Sequence, residues 1–301
     1  MSAAPAVLIM LAVSAQFALQ APLNARLAVA TGPVPAALVS FLVGLVALGL
    51  AVLLSGGAGG FADIDDASAW QFTGGLIGAA FVLTALVAVP IVGAGGVAAA
   101  TITGQMVGSI ALDAAGALGL DPEPVTVARV VGPVLLLAGT LLILHRGDRR
   151  AEAGASTRRR LAAAFIVVAG LALATQAPIN AGLGDSIGGL EAALVNFVVG
   201  SLVLALAALA VGGMPAVPVA LEVPRRYLLG GVIGAIYVAA SVLLVREIGA
   251  GGIAATTVTG QLACSVALDR VGALGLERRP LTAVRIAAVG LLIGGTCLIV
   301  A

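Results

Sequence analysis

The chain is poor in charge and contains no lysine. Only 10% of its 301 residues are charged, and all fifteen cations are arginine, whereas an ordinary soluble domain is about 25% charged. Because a soluble chain of this length would need far more polar surface, lipid is the expected solvent for most of its surface. The net charge of +1 provides no basic field, which argues against nucleic acid as a partner.

Residues typical of catalysis and metal binding are also scarce. The only histidine, His145, lies in the polar stretch 145–160, and the two cysteines, Cys264 and Cys297, lie in apolar segments as packing residues. No Cys/His cluster has the spacing of metal ligands, and no GxxxxGK[ST] loop indicates ATP hydrolysis. No nucleophile has a base in reach. The sequence therefore predicts neither an enzyme nor a cofactor or metal site.

Long apolar runs make up most of the chain, which is 61% hydrophobic. A membrane-spanning helix needs roughly 20 apolar residues, so the runs predict an all-α integral membrane protein. No Lys or Arg precedes the first run, which indicates a retained span rather than a secretory signal. The ten predicted spans are 4–22, 34–54, 69–89, 95–112, 127–144, 161–178, 190–211, 226–244, 250–267 and 282–300.

The second half of the chain duplicates the first. Residues 101–120, TITGQMVGSIALDAAGALGL, return as 257–276, TVTGQLACSVALDRVGALGL, with thirteen of twenty positions identical. The matched motifs all lie 156 residues apart: QAPLN with QAPIN, VSFLVG with VNFVVG, GGLIGA with GGVIGA, and GAGGVAAAT with GAGGIAATT. We therefore predict a first repeat at 1–144, a basic linker at 145–160 and a second repeat at 161–301.

The number of spans in each repeat determines the expected topology. Five is odd, so the second repeat must be inverted relative to the first, and the fold predicted is ten transmembrane helices as two inverted five-helix repeats. The positive-inside rule places the arginine-rich linker in the cytoplasm. Both termini are then outside, and only Arg129 and Arg246 among the arginines are outside with them.

Several polar residues stand inside the predicted spans at helical spacing. One interpretation is that these residues line a solute pathway, because intramembrane polar groups usually face the bundle interior or a watery cavity. The other interpretation is that their amides join helices by hydrogen bonds. The pathway is favoured for the matched pair Gln105 and Gln261. The other candidate lining residues are Gln20, Asn24, Gln176 and Asn180.

Two matched carboxylates and two matched glycine motifs complete the set. Asp113 and Asp269 each precede a GALGL turn, where a capped loop carboxylate is favoured over the alternative of a residue that couples transport to protons. The GAGG motifs at 93–96 and 249–252 are interpreted as tight turns in preference to unwound helix starts that line a cavity. A GxxxG spacing in the fourth span predicts close helix packing there.

The motifs resemble those of the YdcZ-like branch of the drug/metabolite transporter superfamily. The residues that carry the resemblance are QAPLN at 20–24, FLVG at 41–44, GGLIGA at 74–79 and the GQ…S…LD…G.LG run at 104–119, with their second copies. The resemblance covers nearly the whole chain. It implies a carrier for small solutes in the bacterial inner membrane, with two bundles and a central cavity, in the fused ten-span form.

The function expected is a multi-pass plasma-membrane secondary transporter that moves an unidentified small molecule by alternating access, with export as the expected direction. Its expected partners are the lipid bilayer, the solute and a proton or other coupling ion, and a homodimer is an option. Small multidrug members of the superfamily use an intramembrane Glu, whereas the first span here has Gln16 and Gln20 and no acid. The rival interpretations are a non-transporting scaffold, or a passive channel, which the isolated amides disfavour.

Overall fold

The computed structural model describes residues 3–144, 157–272 and 280–300, and in these ranges it contains ten α-helices and no β-strand. Short 3₁₀ segments join several of the helices. The helices are α1 (Ala3–Phe17), α2 (Gln20–Thr31), α3 (Pro33–Ser55), α4 (Gly74–Ala115), α5 (Val127–Leu144), α6 (Thr157–Ala174), α7 (Gln176–Ile187), α8 (Gly189–Ala210), α9 (Leu229–Val271) and α10 (Ala283–Val300).

The helices have the length and composition of membrane spans. Eight stretches are long and apolar enough to cross a bilayer, and Val127–Leu142 is a shorter apolar helix. One of the eight, Arg225–Val271, has 47 residues, about twice the length that a bilayer core requires, and it is interrupted at Gly249. The described chain is thus an all-α membrane protein. When Arg225–Val271 is counted as two segments and Val127–Leu142 is added, it has ten span-length segments, in agreement with the count from the sequence.

The first span of each repeat is longer than its apolar run. The first stretch extends over Ala4–Thr31 and its counterpart over Thr157–Ile187, and each is divided into two helices. Hydropathy does not predict α2 and α7 as helices of their own, because their Gln, Asn and Pro residues lower the local hydropathy. Pro22 causes no loss of hydrogen bonding because it lies in the first turn of α2, where backbone N–H groups have no helical partner.

The predicted linker is described only in part. Residues 145–156 lie outside the described residues, whereas 157–160 already belong to α6. The basic stretch RRR at 158–160 therefore forms the first turn of a helix rather than part of a connection. Residues 273–276 of the second GALGL motif also lie outside the described residues.

Each GAGG motif connects two helical segments through a single residue. Gly93 has φ +77° inside α4, and Gly249 has φ +70° inside α9. This backbone region favours glycine. The helix resumes at the next residue on both occasions, so we name the segments α4a (74–92), α4b (94–115), α9a (229–248) and α9b (250–271). The connection is shorter than the turn that we expected.

The described chain forms two compact units, and each unit draws on both halves of the sequence. Unit 1 contains residues 3–15, 84–144, 157–175, 247–272 and 280–300. Unit 2 contains residues 16–83 and 176–246. The boundaries of the repeats proposed from the sequence, 1–144 and 161–301, describe a duplication of the chain and remain a prediction.

Each unit has its own apolar core. In unit 1, Ile102 and Met106 of α4b pack with Ala254 and Val258 of α9b and with Leu136 of α5. Unit 2 contains several clusters, one of which joins α3, α8 and α9a through Leu48, Phe197 and Ala235. Unit 2 also holds the chain's single tryptophan, Trp70, whereas both cysteines lie in unit 1.

Candidate functional site

The glutamine candidates of unit 1 are buried or half-buried and lack hydrogen-bonding partners in the described part of the chain. Gln105 on α4b is 9% exposed, and Gln261 on α9b is half-buried. Among the described residues, neither side-chain amide has a hydrogen-bond partner with a donor–acceptor distance of 3.5 Å or less. The two helices share one apolar core, so unit 1 brings both amide-bearing helices together in one compact body.

The neighbouring hydroxyls on these faces are mostly satisfied within their own helices. Ser109 donates to the carbonyl of Met106 at 3.0 Å, and Ser265 donates to the carbonyl of Leu262 at 2.8 Å. Such bonds to a preceding turn are usual for helical Ser and Thr. Thr101 differs, because its Oγ1 is buried without a partner. Unpartnered polar atoms of α4b therefore fall at Thr101 and Gln105, one helical turn apart.

Small residues bring two further helices against these faces. A Cβ at Gly108 would lie 2.9 Å from the carbonyl oxygen of Leu171 on α6, and a Cβ at Gly104 would overlap that of Val167. The GxxxG spacing therefore packs α4b on α6, as predicted. On α9b, a Cβ at Gly260 would lie 2.7 Å from the carbonyl oxygen of Leu11 on α1.

The contact between α1 and α9b contains another unpartnered polar atom. Ser14 is fully buried, and its Oγ has no hydrogen-bond partner. A Cβ at Gly260, the residue before Gln261, would lie 2.7 Å from the Cβ of Ser14. The sequence analysis did not select Ser14, because its counterpart in the second repeat is Gly170 and the duplication gave no signal.

In unit 2 the amides of the second repeat form a closed hydrogen-bonded cluster. Gln176 Nε2 donates to Asn196 Oδ1 at 3.2 Å and to the carbonyl of Gly74 at 3.0 Å. Asn180 Nδ2 donates to the same Asn196 oxygen at 3.0 Å. Asn180 and Asn196 are both buried. The contacts of these side chains are therefore those of residues that join helices.

The matching amides of the first repeat are less completely bonded. Gln20 Nε2 donates to the carbonyl of Gly230 at 3.2 Å, which mirrors the bond from Gln176 to Gly74. Asn24 Oδ1 is buried without a partner. The first repeat has Ser40 where the second has Asn196, so the central amide of the cluster is missing. Duplication gave no signal for Asn196, because its counterpart in the first repeat is a serine.

The GGxxGA motifs provide the surfaces on which these amides pack. A Cβ at Gly78 would lie 2.5 Å from Gln176 Nε2, and a Cβ at Gly234 would lie 2.5 Å from Gln20 Nε2. A Cβ at Gly74 would overlap Asn180, and one at Gly230 would overlap Asn24. Each QAPxN motif therefore packs on the GGxxGA motif of the other repeat.

Asp113 accepts hydrogen bonds from the start of α9b. Its Oδ1 accepts from the N–H of Ala250 at 2.8 Å, and its Oδ2 accepts from the N–H of Gly251 at 2.8 Å. Arg129 Nη1 lies 3.8 Å from Oδ2. A carboxylate at a helix N-terminus is favourable because it satisfies free N–H groups and complements the helix dipole. Asp113 is thus a buried cap, but on α9b rather than on its own GALGL turn.

Asp269 has a different environment. Its Oδ2 lies 2.9 Å from Arg285 Nη2, and its side chain is 26% exposed, compared with 4% for Asp113. Arg285 is itself buried, and its Nη1 has no partner. In the described residues no group of three or more His, Cys, Asp or Glu side chains is arranged to hold a metal ion.

Comparisons with known proteins bear on the whole chain. Residues 5–142 and 161–298 each match the model of the family described as "Putative inner membrane exporter, YdcZ".

The chain belongs to the YdcZ family.

Membership makes it a multi-pass inner-membrane protein of a transporter family, and the two matches correspond to the two repeats found in the sequence. No curated protein matches the chain significantly. A solved structure described as "Crystal structure of protein" superposes with a TM-score of 0.69 and 16% sequence identity, over 98% of this chain and 96% of the other. At that identity the likeness extends to the fold alone.

The family motifs divide between the two units. QAPxN, FLVG and GGxxGA lie in unit 2, where they pack helices together. The GAGG motif and the GQ…S…LD run lie in unit 1, with the unpartnered glutamines and the Asp113 cap. The resemblance inferred from the sequence is confirmed, and the structure separates its motifs into packing motifs and candidate functional ones.

Proposed function

We propose that this YdcZ-family chain is a secondary transporter that exports a small solute by alternating access. The observation that supports this most directly is Gln105, which is 9% exposed and whose amide makes no hydrogen bond among the described residues, with Gln261 as its repeat in the same unit. A polar group with little access to water and no partner costs up to about 1–3 kcal/mol. A bound solute with its own donors and acceptors would offset that cost, which makes the two glutamines the proposed contacts for the solute.

A non-transporting scaffold is the rival function, and unit 2 has the contacts that it would require. There Gln176 and Asn180 are bonded to Asn196 and leave little for a solute to bind. Gln20, Asn24, Gln176 and Asn180 therefore have weaker support as pathway residues than Gln105 and Gln261. The proposed solute contacts lie in unit 1. There the two glutamine amides make no hydrogen bond among the described residues, so they do not join helices as a scaffold would require.

An efflux assay separates the two functions. Proteoliposomes loaded with a defined mixture of amino acids, sugars, polyols and nucleosides would be followed by mass spectrometry of the external medium. We expect the parent chain to release at least one solute, and Gln105→Ala and Gln261→Ala each to slow that release about tenfold, the loss expected from one good hydrogen bond. Val107→Ala is the matched control, since Val107 lies on the same helix and is exposed.

Two results would contradict the proposal. Absence of efflux for every class of solute from well-folded protein would favour the scaffold. Efflux that both glutamine variants leave at the parental rate would remove these residues from the pathway, whichever solute moves.

We also propose that both termini lie outside and the linker lies in the cytoplasm, as the distribution of arginine predicts. Impermeant thiol labelling of single cysteines placed at residue 150 and at the C-terminus, in a cysteine-free background, tests this. The two positions should be labelled from opposite sides of the membrane. Labelling from the same side would contradict the inverted repeat.

A further inference from the structure

The two copies of one carboxylate and glycine arrangement have different contacts in unit 1. Asp113 bonds to two consecutive N–H groups at the start of α9b, directly after the break at Gly249. The duplication places Asp269 and the break at Gly93 in equivalent positions. Asp269 nevertheless pairs with Arg285 at 2.9 Å.

The glycines of the second GAGG motif fit the bound carboxylate closely. A Cβ at Gly249 would lie 3.1 Å from both carboxylate oxygens of Asp113, and a Cβ at Gly251 would lie 2.8 Å from Oδ2. Gly249 also has the positive φ that disfavours other residues. Two glycines of this motif are therefore explained by the docked Asp113. The first GAGG motif keeps the same glycines although Asp269 is not docked there.

The arginines provide each carboxylate with a second partner. Arg129 lies 3.8 Å from Asp113 and 3.3 Å from Glu123, and Arg285, its repeat, pairs with Asp269. The second repeat has Arg279 where the first has Glu123. Glu123 competes with Asp113 for Arg129. If this competition alone prevents a close Arg129–Asp113 ion pair, the two carboxylates differ in every state of the protein. This is the alternative that an experiment must separate from an exchange of partners.

We propose that Asp113 and Asp269 cap the two broken helices in turn during the transport cycle. In the state described here, Asp113 caps α9b and Asp269 rests on Arg285. In the opposite-facing state, Asp269 caps α4b at residues 94–95, and Asp113 moves to Arg129. The proposal rests on alternating access as the proposed function, since an inverted repeat exchanges the conformations of its halves between the two states. Both carboxylates are positioning residues, with no contact to the solute.

Two alanine substitutions test the exchange without altering either carboxylate. Gly251→Ala places a methyl group against Asp113 and weakens the cap on α9b. Gly95→Ala is the equivalent change at α4b, and on this proposal it weakens the cap that Asp269 forms there. Gly251 has no positive φ, and both glycines lie within helices, where alanine is favourable. Gly294→Ala in α10 is the control, because a Cβ there meets nothing within 4 Å.

The readout is alkylation of Cys264, which lies on α9b one turn after Gln261. N-ethylmaleimide would be applied to native membranes of variants that also carry Cys297→Ser. We expect Gly251→Ala and Gly95→Ala to shift the labelling rate in opposite directions, each by about tenfold, the effect of one charge-assisted hydrogen bond on a two-state equilibrium. Both should slow efflux, and Gly294→Ala should change neither quantity.

The outcomes discriminate the proposals. If Gly95→Ala behaves like Gly294→Ala, or if both test variants shift labelling in the same direction, Asp113 is a fixed cap and the exchange is excluded. Labelling needs no solute, so opposite shifts without any efflux would uphold the exchange and contradict transport. Efflux by the parent chain, together with no change in labelling in Gly95→Ala, would uphold transport and contradict the exchange. Ala250→Pro replaces Gly251→Ala if that variant does not fold, with the same expected direction, because it removes the N–H that Asp113 Oδ1 accepts from at the first position of α9b, where proline is tolerated.

Discussion

Unit 1 and unit 2 each combine segments from both repeats, but their buried amides have different contacts. In unit 2, the amides of Gln176 and Asn180 both donate hydrogen bonds to Asn196 Oδ1. In unit 1, Gln105 and Gln261 have no such partner among the described residues. The comparison separates amides that are already bonded within the protein from amides that remain available to a solute. Asn24, with one unpartnered oxygen, is the exception inside unit 2.

The largest expected effect concerns the packing of unit 2. A Cβ at Gly75 would overlap the backbone carbonyl of Asn196 and lie 2.8 Å from the N–H nitrogen of Gly200. Gly75→Ala must separate α4a from α8, and we expect it to lower the free energy of unfolding by about 3 kcal/mol or more. Denaturation in mixed micelles, followed by Trp70 fluorescence, measures this.

The control for that substitution is Gly49→Ala on α3, where a Cβ meets nothing within 4 Å. Alanine should there stabilise the helix by up to about 1 kcal/mol. Equal stabilities for the two variants would show that the contact between α4a and α8 is not close in the membrane.

The next effect concerns the centre of the amide cluster. Asn196→Leu removes the acceptor of Asn180 and one acceptor of Gln176, so buried donors lose their partners. We expect a loss of about 2–3 kcal/mol in the free energy of unfolding, measured by the same Trp70 transition. Ser40→Ala, at the equivalent position of the first repeat, should cost less than about 1 kcal/mol, since Ser40 has no hydrogen bond to lose among the described residues. A cost for Ser40→Ala as large as that for Asn196→Leu would contradict the difference between the repeats.

A pair of identical substitutions compares the two units directly. Gln176→Met should lower the free energy of unfolding by about 1–2 kcal/mol because two hydrogen bonds are lost. Gln105→Met should leave it unchanged or raise it by up to about 1 kcal/mol because no bond is lost. Thermal unfolding in detergent, together with the efflux assay, tests this prediction. A destabilisation by Gln105→Met equal to that by Gln176→Met would mean that Gln105 is a packing residue, and the case for a solute contact would fail.

The smallest effect is expected at the exposed ion pair of unit 2. Arg246 and Asp185 form a salt bridge with the Asp185 side chain 66% exposed. Asp185→Asn should lower the free energy of unfolding by less than about 1 kcal/mol, since water screens exposed pairs. A larger loss would indicate that this end of α9a is more buried in the membrane than in the isolated chain. The variant is also a useful reference for the buried substitutions.

Hydropathy and internal symmetry predicted the helical class, the ten spans and the positions of the paired glutamines and carboxylates, and the resemblance of the motifs predicted the family. They did not reveal α2 or α7, because the Gln, Asn and Pro residues of these helices lower the local hydropathy. They also did not reveal the partner of Asp113. Ala250 is 137 residues away, and it donates through its backbone N–H, which does not depend on the type of residue. Asn196 was missed for the opposite reason, since duplication was the signal and Asn196 lacks a copy.

The packing of each QAPxN motif on the GGxxGA motif of the other repeat has a consequence for how such a chain is assembled. A half-length product carries both motifs, but each packs on its counterpart in the other half, so the half would remain unpaired until it met a second half. Joining the two halves in a single gene supplies them in equal number and at high local concentration. Two separately encoded halves of this chain should accordingly recover a working protein only when they are produced together.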